Sequence, residues 1–385
     1  MDWKPHAARL AEQVTHATSR WRPVIASVPR HEFVPRWWAW AAPAPGLYGA
    51  ATWDLVDGPA DEGGWLTAAF TDRSRVTRVG TRHADDAKPG EQTAGSPTSS
   101  ATLPGLLVHM FRHARLADGL DVLDVGTGSG YGTALLATRL GDRHVTSVDV
   151  DPYLVQAAAE RLDRTGLRPQ ACTVDATEPV PGTFDRIIAT VSVRPVPASW
   201  LAGLRPGGRL VTTLAGTSLI LTADSTPDGG AEGRIEWDRA GFMTSRNGPD
   251  YPPDVVAAIA AAHTAEDEDV AAGRYPVVNV MEAWGLWSML GVTAPGINCD
   301  YRETKGGDRT AVLVHDDGSW ARATGHPDGP VTVHQGGPRR LWDVLDDIRA
   351  RWLRDGSLPV HGARATITPD GVIHLRRGSW TVTLT

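Results

Sequence analysis

The sequence predicts an α/β fold: a Rossmann-like, doubly wound and mostly parallel sheet, with an N-terminal extension and a smaller C-terminal α+β unit. Three observations predict it. Residues 121–130 read D-V-L-D-V-G-T-G-S-G, an apolar run ending in a turn with Gly126, Gly128 and Gly130. Strand and helix periodicities then alternate as far as about residue 214, the pattern of a wound parallel sheet. Beyond residue 246 the pattern changes to Ala-rich and then to short alternating runs, which marks a second unit.

The elements follow in order. Ala7, Leu10, Ala11 and Val14 are spaced as one face of a helix, and a turn-rich stretch follows at Val28–Pro35. Residues 41–64 are rich in Gly, Pro and Ala and read as loop; Leu66–Val79 reads as one or two strands; residues 80–100 read as a mobile surface loop. Residues 1–100 are therefore expected to be a helical and loop extension. The core, residues 101–245, opens with a helix near Thr102–Pro104. It continues through strand 121–125, a helix from Tyr131, strand 144–150, helix 152–164, strand 171–174, strand 184–190, helix 197–204 and strand 209–214. Leu219–Thr222 and Gly233–Trp237 read as an edge hairpin. In residues 246–385, Asp254–Ala272 predicts a helix, with Glu266–Asp269 as a solvated face. Runs at 310–315, 319–324 and 331–335 predict a meander. Leu341–Leu353 is amphipathic, and three closing strands lie between Ala363 and Leu384.

Strand, Gly turn, helix, strand and terminal carboxylate form a nucleotide-binding half of such a sheet. The spacing is G-x-G-x-G with Asp124 just before it, not the dinucleotide G-x-G-x-x-G. A carboxylate is unfavourable beside a pyrophosphate and useful near a cationic methionine moiety. The turn therefore points to S-adenosylmethionine, with S-adenosylhomocysteine as product, rather than NAD. Asp124, Gly126, Thr127, Gly128, Ser129 and Gly130 are expected to border the methionine portion. Asp149, followed by Val150, is expected to accept from the ribose hydroxyls. Asp151 is read as the N-cap before Pro152. Asp175, with Ala176, is expected near the adenine amino group or in a plain turn. Thr190 either lines the reaction centre or completes a turn where the chain leaves a strand.

The 385 residues exceed one average domain. A formal net charge of -7 argues against a nucleic-acid partner. Two distant cysteines, Cys172 and Cys299, support neither a disulfide scaffold nor a zinc site. His109 and His113 lack companion ligands, so no metal is expected. No stretch is long enough to span a bilayer and the first residues lack a signal-peptide run, so no membrane partner and a cytoplasmic location are expected. The 15 tryptophans, against 6 Tyr and 5 Phe, are expected mostly in cores, with some free to line a peptide groove.

The motifs carry a family resemblance. V-P-R-H-E-F-V-P (28–35), A-F-T-D-R (69–73), S-S-A-T-L-P (99–104), D-V-G-T-G-S-G-Y (124–131) and V-P-A-S-W-L-A-G-L-R-P-G-G-R-L-V (196–211) resemble protein L-isoaspartate O-methyltransferases over roughly residues 1–225. The resemblance implies a class I SAM-dependent methyltransferase fold and carboxyl O-methylation. There are two departures. The family has a serine two residues before the proline of its T-I-S-x-P motif, where this chain has Thr102. The chain also runs on well past the core. Both features are similar to long variants beside ATP-grasp ligases that make graspetides. That similarity implies methylation of an Asp side chain in a ribosomally made, modified peptide, collapse of the ester to an aspartimide, a modified precursor peptide as substrate and an ATP-grasp ligase as pathway partner. Ordinary isoaspartyl repair is the alternative; a non-catalytic peptide-recruiting subunit is a third reading.

Methyl transfer to an ionised carboxylate needs alignment and desolvation, not a general base. Ser99, Ser100 and Thr102 are expected to position the substrate carboxylate. Read without the resemblance, the same hydroxyls would cap the next helix.

Overall fold

The computed structural model describes residues 2–43, 51–246, 255–266 and 269–385. A ten-stranded sheet runs through it. Strands β1 (Val122–Val125), β2 (Val145–Asp149), β3 (Gln170–Thr173), β4 (Phe184–Val193) and β5 (Leu204–Leu214) are parallel, in the order 3-2-1-4-5. The winding reverses between β1 and β4, which opens a crevice at the carboxyl ends of these two strands. All four residues of β1 are buried, as expected of a strand covered on both faces.

Helices α1 (Pro104–His113), α2 (Tyr131–Leu140) and α3 (Pro152–Arg164) connect this frame. In α3 the residues at helical spacing, Leu154, Val155, Ala158 and Leu162, are buried. Asp151 caps it, accepting from the Tyr153 amide at 3.0 Å, with Pro152 in the first turn.

The N-terminal hundred residues depart from expectation. They hold helices Lys4–Val14, Trp21–Ser27 and Glu62–Ala69, and a six-stranded sheet built from Arg36–Pro43, Ala51–Asp57, Arg75–Val79, Arg82–His83, Gln92–Ala94 and Pro97–Ala101. The stretch read as a mobile loop, 80–100, supplies three of these strands. They are short and mostly half-exposed, so they lack the apolar alternation that marks a strand. Of the stretch read as loop over 41–64, residues 44–50 lie outside the described residues.

The capping reading of the Ser/Thr segment does not hold. Residues 97–101 are strand, and α1 begins after Leu103 with no side-chain cap of its own. The Asp72 carboxylate closes that helix start, accepting from the Gly105 amide at 2.7 Å. Replacing Asp72 by Ala is expected to cost about 1 kcal/mol, the usual worth of a helix-terminal acceptor. A lowered urea midpoint with unchanged slope checks this.

The C-terminal region departs too. The predicted meander is present as Arg309–Val314, Trp320–Gly325 and Val331–Gly336, flanked by Asn298–Glu303 and Val270–Ala272 in a five-stranded sheet. The predicted helix of 254–272 spans only Val256–Thr264, and the run 266–269 falls after it. Residues 254, 267 and 268 lie outside the described residues. The closing strands do not complete this unit. Strands β6 (Leu219–Ser225) and β7 (Ala231–Arg239) continue the central sheet as an antiparallel meander. Then β8 (Arg364–Ile367), β9 (Ile373–Arg377) and β10 (Trp380–Leu384) extend it, with Arg234 opposite Arg364. The expected edge hairpin is thus interior. Leu341, Trp342, Leu345 and Ile348 of helix Leu341–Asp355 share one apolar core with Leu221, Ile235 and Leu375 of the central sheet. Buried residues of 246–385 and of the central sheet thus belong to one continuous core. Among the described residues, no helix is long and apolar enough to cross a membrane.

Candidate functional site

One cleft at the crevice gathers the predicted residues. Its walls include Ser99, Ser100 and Thr102 on one side, Asp124 through Ser129 at the base, Asp149 and Val150, Asp175 and Ala176, and Thr190. Gly130 is not in the wall. It sits behind it at φ 88°, where a Cβ would come 3.0 Å from the Ala158 Cβ, so its role is the close packing of α2 on α3.

At Gly126 the turn has no room to spare. A Cβ at Gly126 would lie 3.0 Å from Thr190 Oγ1 and 3.1 Å from Val191 Cγ1. Gly128, at φ 50°, faces the serine strand: a Cβ there would lie 3.5 Å from the Ser100 carbonyl oxygen and 4.0 Å from Ser99 Oγ. The bare backbone leaves a cradle that a side chain would fill, and the adenosyl group suggested by the sequence fits such a cradle. The Thr190 hydroxyl donates to the Gly126 carbonyl at 3.1 Å. It lies within β4, which continues to Val193, so Thr190 and Val191 belong to a strand and not to a departing loop.

Two carboxylates define the electrostatics. Asp149 accepts from the Gly128 amide at 3.0 Å and from the Asp151 amide at 3.1 Å. Burial pushes its pKa up; those amides and the charge of Arg246 oppose the rise. Asp124 is 2% exposed and accepts at one oxygen from the hydroxyls of Thr133 (2.7 Å) and Ser147 (2.9 Å). Burial pushes it up to about 6, against the two hydroxyls. Negative charge is therefore held at a cost in this cleft, and a cationic ligand relieves it. Replacing Asp149 by Ala removes a charged acceptor from the cleft and frees two backbone amides. A loss of adenosylhomocysteine affinity of about thirtyfold is expected, near the 2 kcal/mol typical of a charged hydrogen-bonding group, and calorimetry reads it.

On the opposite wall Ser99 is buried, its hydroxyl accepting from Thr77 at 3.1 Å, which leaves its own proton to donate. Asp175 accepts from the amide (2.9 Å) and hydroxyl (2.7 Å) of Thr177 through one oxygen, so it makes a turn and still borders the cleft. Ala176 is fixed by its carbonyl, which accepts from the Trp200 indole at 2.7 Å and from Ser199 at 2.9 Å.

Sequence reasoning missed one wall, residues 241–246. This segment follows β7 and is held against β4: the Ser192 amide donates to the Met243 carbonyl at 2.9 Å, and the Ser245 amide to the Ser192 carbonyl at 2.9 Å. Its sequence, G-F-M-T-S-R, has no periodicity that would place it there. The motifs at 28–35 and 69–73 also have a role that their sequence does not state. The wholly buried Arg30 guanidinium donates to the carbonyls of Ala69, Thr71 (2.9 Å), Arg73 (2.9 Å) and Thr102 (3.4 Å). It thereby ties residues 69–73 to Thr102 in the cleft wall. His113 pairs with Asp238 at 2.9 Å, and among the described residues no group of three potential metal ligands occurs. Arg339 and Arg340 pair with Asp317 (2.7 Å) and Asp269 (2.5 Å).

The chain is similar to known proteins. The family model described as protein-L-isoaspartate(D-aspartate) O-methyltransferase matches residues 82–224. The protein-L-isoaspartate O-methyltransferase of Thermococcus onnurineus is 34% identical over 133 residues, covering 34% of this chain and 58% of its own length. That of Pyrococcus abyssi is 31% identical over 146 residues, covering 37% and 67%. The chain thus spans about three fifths of these curated relatives. A solved structure named protein-L-isoaspartate O-methyltransferase aligns over 99% of this chain and 98% of its own, at 14% identity and a TM-score of 0.47.

Proposed function

From the premise that this chain belongs to the protein-L-isoaspartate(D-aspartate) O-methyltransferase family, we propose that it transfers a methyl group from S-adenosylmethionine to a carboxylate of a polypeptide. The observation that carries the reading is the serine strand lying within 4.0 Å of the Gly128 position in one cleft, so that cofactor and substrate walls face each other. When bound, S-adenosylmethionine supplies an electrophilic methyl on a positively charged sulfur. Asp149 holds the ribose, and Asp124 faces the cationic methionine end. Ser99, Ser100 and Thr102 hold the substrate carboxylate by hydroxyl donation without protonating it, which keeps it nucleophilic at neutral pH.

The carboxylate that the relatives' name favours is that of isoaspartate. A second reading has two observations behind it: Thr102 stands where the family has serine, and the long C-terminal region shares the catalytic sheet's core. In this reading the substrate is an Asp side chain of a modified peptide, made in a pathway with an ATP-grasp ligase. The amide nitrogen of the next residue then attacks the ester carbonyl and gives up its proton as methanol leaves, closing an aspartimide. An isoAsp peptide and its Asp twin, each incubated with enzyme and cofactor, separate the readings by mass spectrometry. Methyl gain confined to the isoAsp peptide selects repair. Methyl gain on a cyclised Asp peptide, followed by net water loss, selects maturation. Methylation of neither peptide nor of the cyclised one rejects the proposal.

A further inference from the structure

The far end of the central sheet presents a bare cationic face. Strands β7, β8 and β9 bury Ile235, Ala365, Ile367, Ile373 and Leu375 on one side. On the other side, Arg234, Arg364 and Arg376 stand directly opposite one another in register across three adjacent strands, followed by Thr381 on β10. All four are exposed. Arg234 is paired with Glu236 at 2.9 Å. Among the described residues, the side chains of Arg364 and Arg376 have no ion-pair or hydrogen-bond partner. Like charges opposite each other destabilise a sheet, so this row lowers the stability of the protein that carries it. The next row, Glu232, Thr366, His374 and Thr383, completes a shallow groove over the same strands. The net charge of the chain is -7, so the patch runs against the overall balance.

We infer that this groove docks an acidic segment of the polypeptide substrate, a deepening that rests on the methyltransferase reading. The guanidinium groups of Arg364 and Arg376 have no side-chain partner and offer only donors, and the flanking threonine hydroxyls can donate beside them; with Glu232 as the one carboxylate in the lining, the groove is the complement of carboxylates in an extended chain. Six strand spacings separate β1, beside the Gly turn, from β9, or about 29 Å at 4.8 Å each. An extended chain covers that in about nine residues. The acidic segment is therefore expected at least about nine residues from the methylated position.

The full-length protein and its R364E/R376E variant, checked for equal melting temperature, are titrated into fluorescein-labelled hexaglutamate and followed by anisotropy at low and high salt. Binding that weakens about tenfold in the variant and weakens with salt supports the inference. Equal binding by both proteins, or none by either, overturns it. A single-stranded oligonucleotide of equal charge binding more tightly than the peptide also overturns it, in favour of a nucleic-acid surface. If the double reversal does not fold, R364Q/R376Q is read in the same way. Anisotropy needs no turnover, so a failed docking site and a failed methyltransferase assignment give separate results. Where both hold, a glutamate tail spaced nine or more residues from the acceptor lowers KM and leaves kcat unchanged.

Discussion

Replacing Arg30 by alanine is expected to cost about 4 kcal/mol of folding stability, the largest effect foreseen for any single side chain here. The figure follows from four carbonyls losing their donor at about 1 kcal/mol each. The Arg30 guanidinium is wholly buried and meets the carbonyls of Ala69, Thr71, Arg73 and Thr102. It lies 5.3 Å over the Tyr131 ring. Burial pushes its pKa down to about 10, so at physiological pH it still carries its charge. Lysine is not an equivalent replacement: a single ammonium cannot address carbonyls from two chain segments with a fixed planar fork. Arg30→Lys is accordingly expected to recover less than half of the loss. Urea unfolding of the three proteins checks this. A wild-type midpoint in Arg30→Ala would show that the carbonyls find other partners.

Arg30 also shows what the sequence could and could not convey. The motif V-P-R-H-E-F-V-P was visible as a pattern, but its purpose was not, because the four acceptors are backbone carbonyls and leave no trace in residue identity. The Gly turn behaved differently. Gly126, Gly128, Asp124 and Asp149 were legible because their chemistry is local: a strand, a turn and a carboxylate at the next strand's end lie within thirty residues. The same holds for Asp151 and Pro152 at the start of α3. Long-range decisions were illegible. Nothing in A-R-A-T-I-T-P indicates that this strand pairs with β7 rather than with the nearby meander, since both partners present an exposed polar row and a buried apolar one. The strand 97–101 was hidden for a related reason. Its serines line the cleft, so it lacks the apolar residues by which strands are recognised.

Asp124→Asn is expected to stabilise the ligand-free protein at neutral pH while weakening its cofactor binding. In the folded chain the Asp124 pKa is raised from 3.8 to about 6, with burial as the first cause and the nearby charge of Asp149 also raising it. Between about pH 4 and pH 6 the folded protein therefore holds a proton at this site that the unfolded chain has released. Stability falls as pH rises through that window and stays at the lower level above it. The full difference is at most about 3 kcal/mol, from two pH units at 1.4 kcal/mol each. Asparagine keeps an oxygen for the Thr133 and Ser147 hydroxyls and carries no charge to desolvate. The melting temperatures of the two proteins should converge near pH 4, and the variant's should be the higher at pH 7.5. Affinity runs the other way. A cationic ligand prefers the ionised carboxylate, so wild-type affinity for S-adenosylmethionine should fall about tenfold per pH unit below 6. The variant should bind weakly with a flat profile across the same range. A wild-type profile as flat as the variant's would show that Asp124 does not face the cationic end of the cofactor, and the methionine portion would then have to lie elsewhere in the cleft. A stability optimum destabilised for the sake of ligand charge is what a binding carboxylate in an apolar setting should produce, and a purely structural aspartate would show the stability change without the change in affinity.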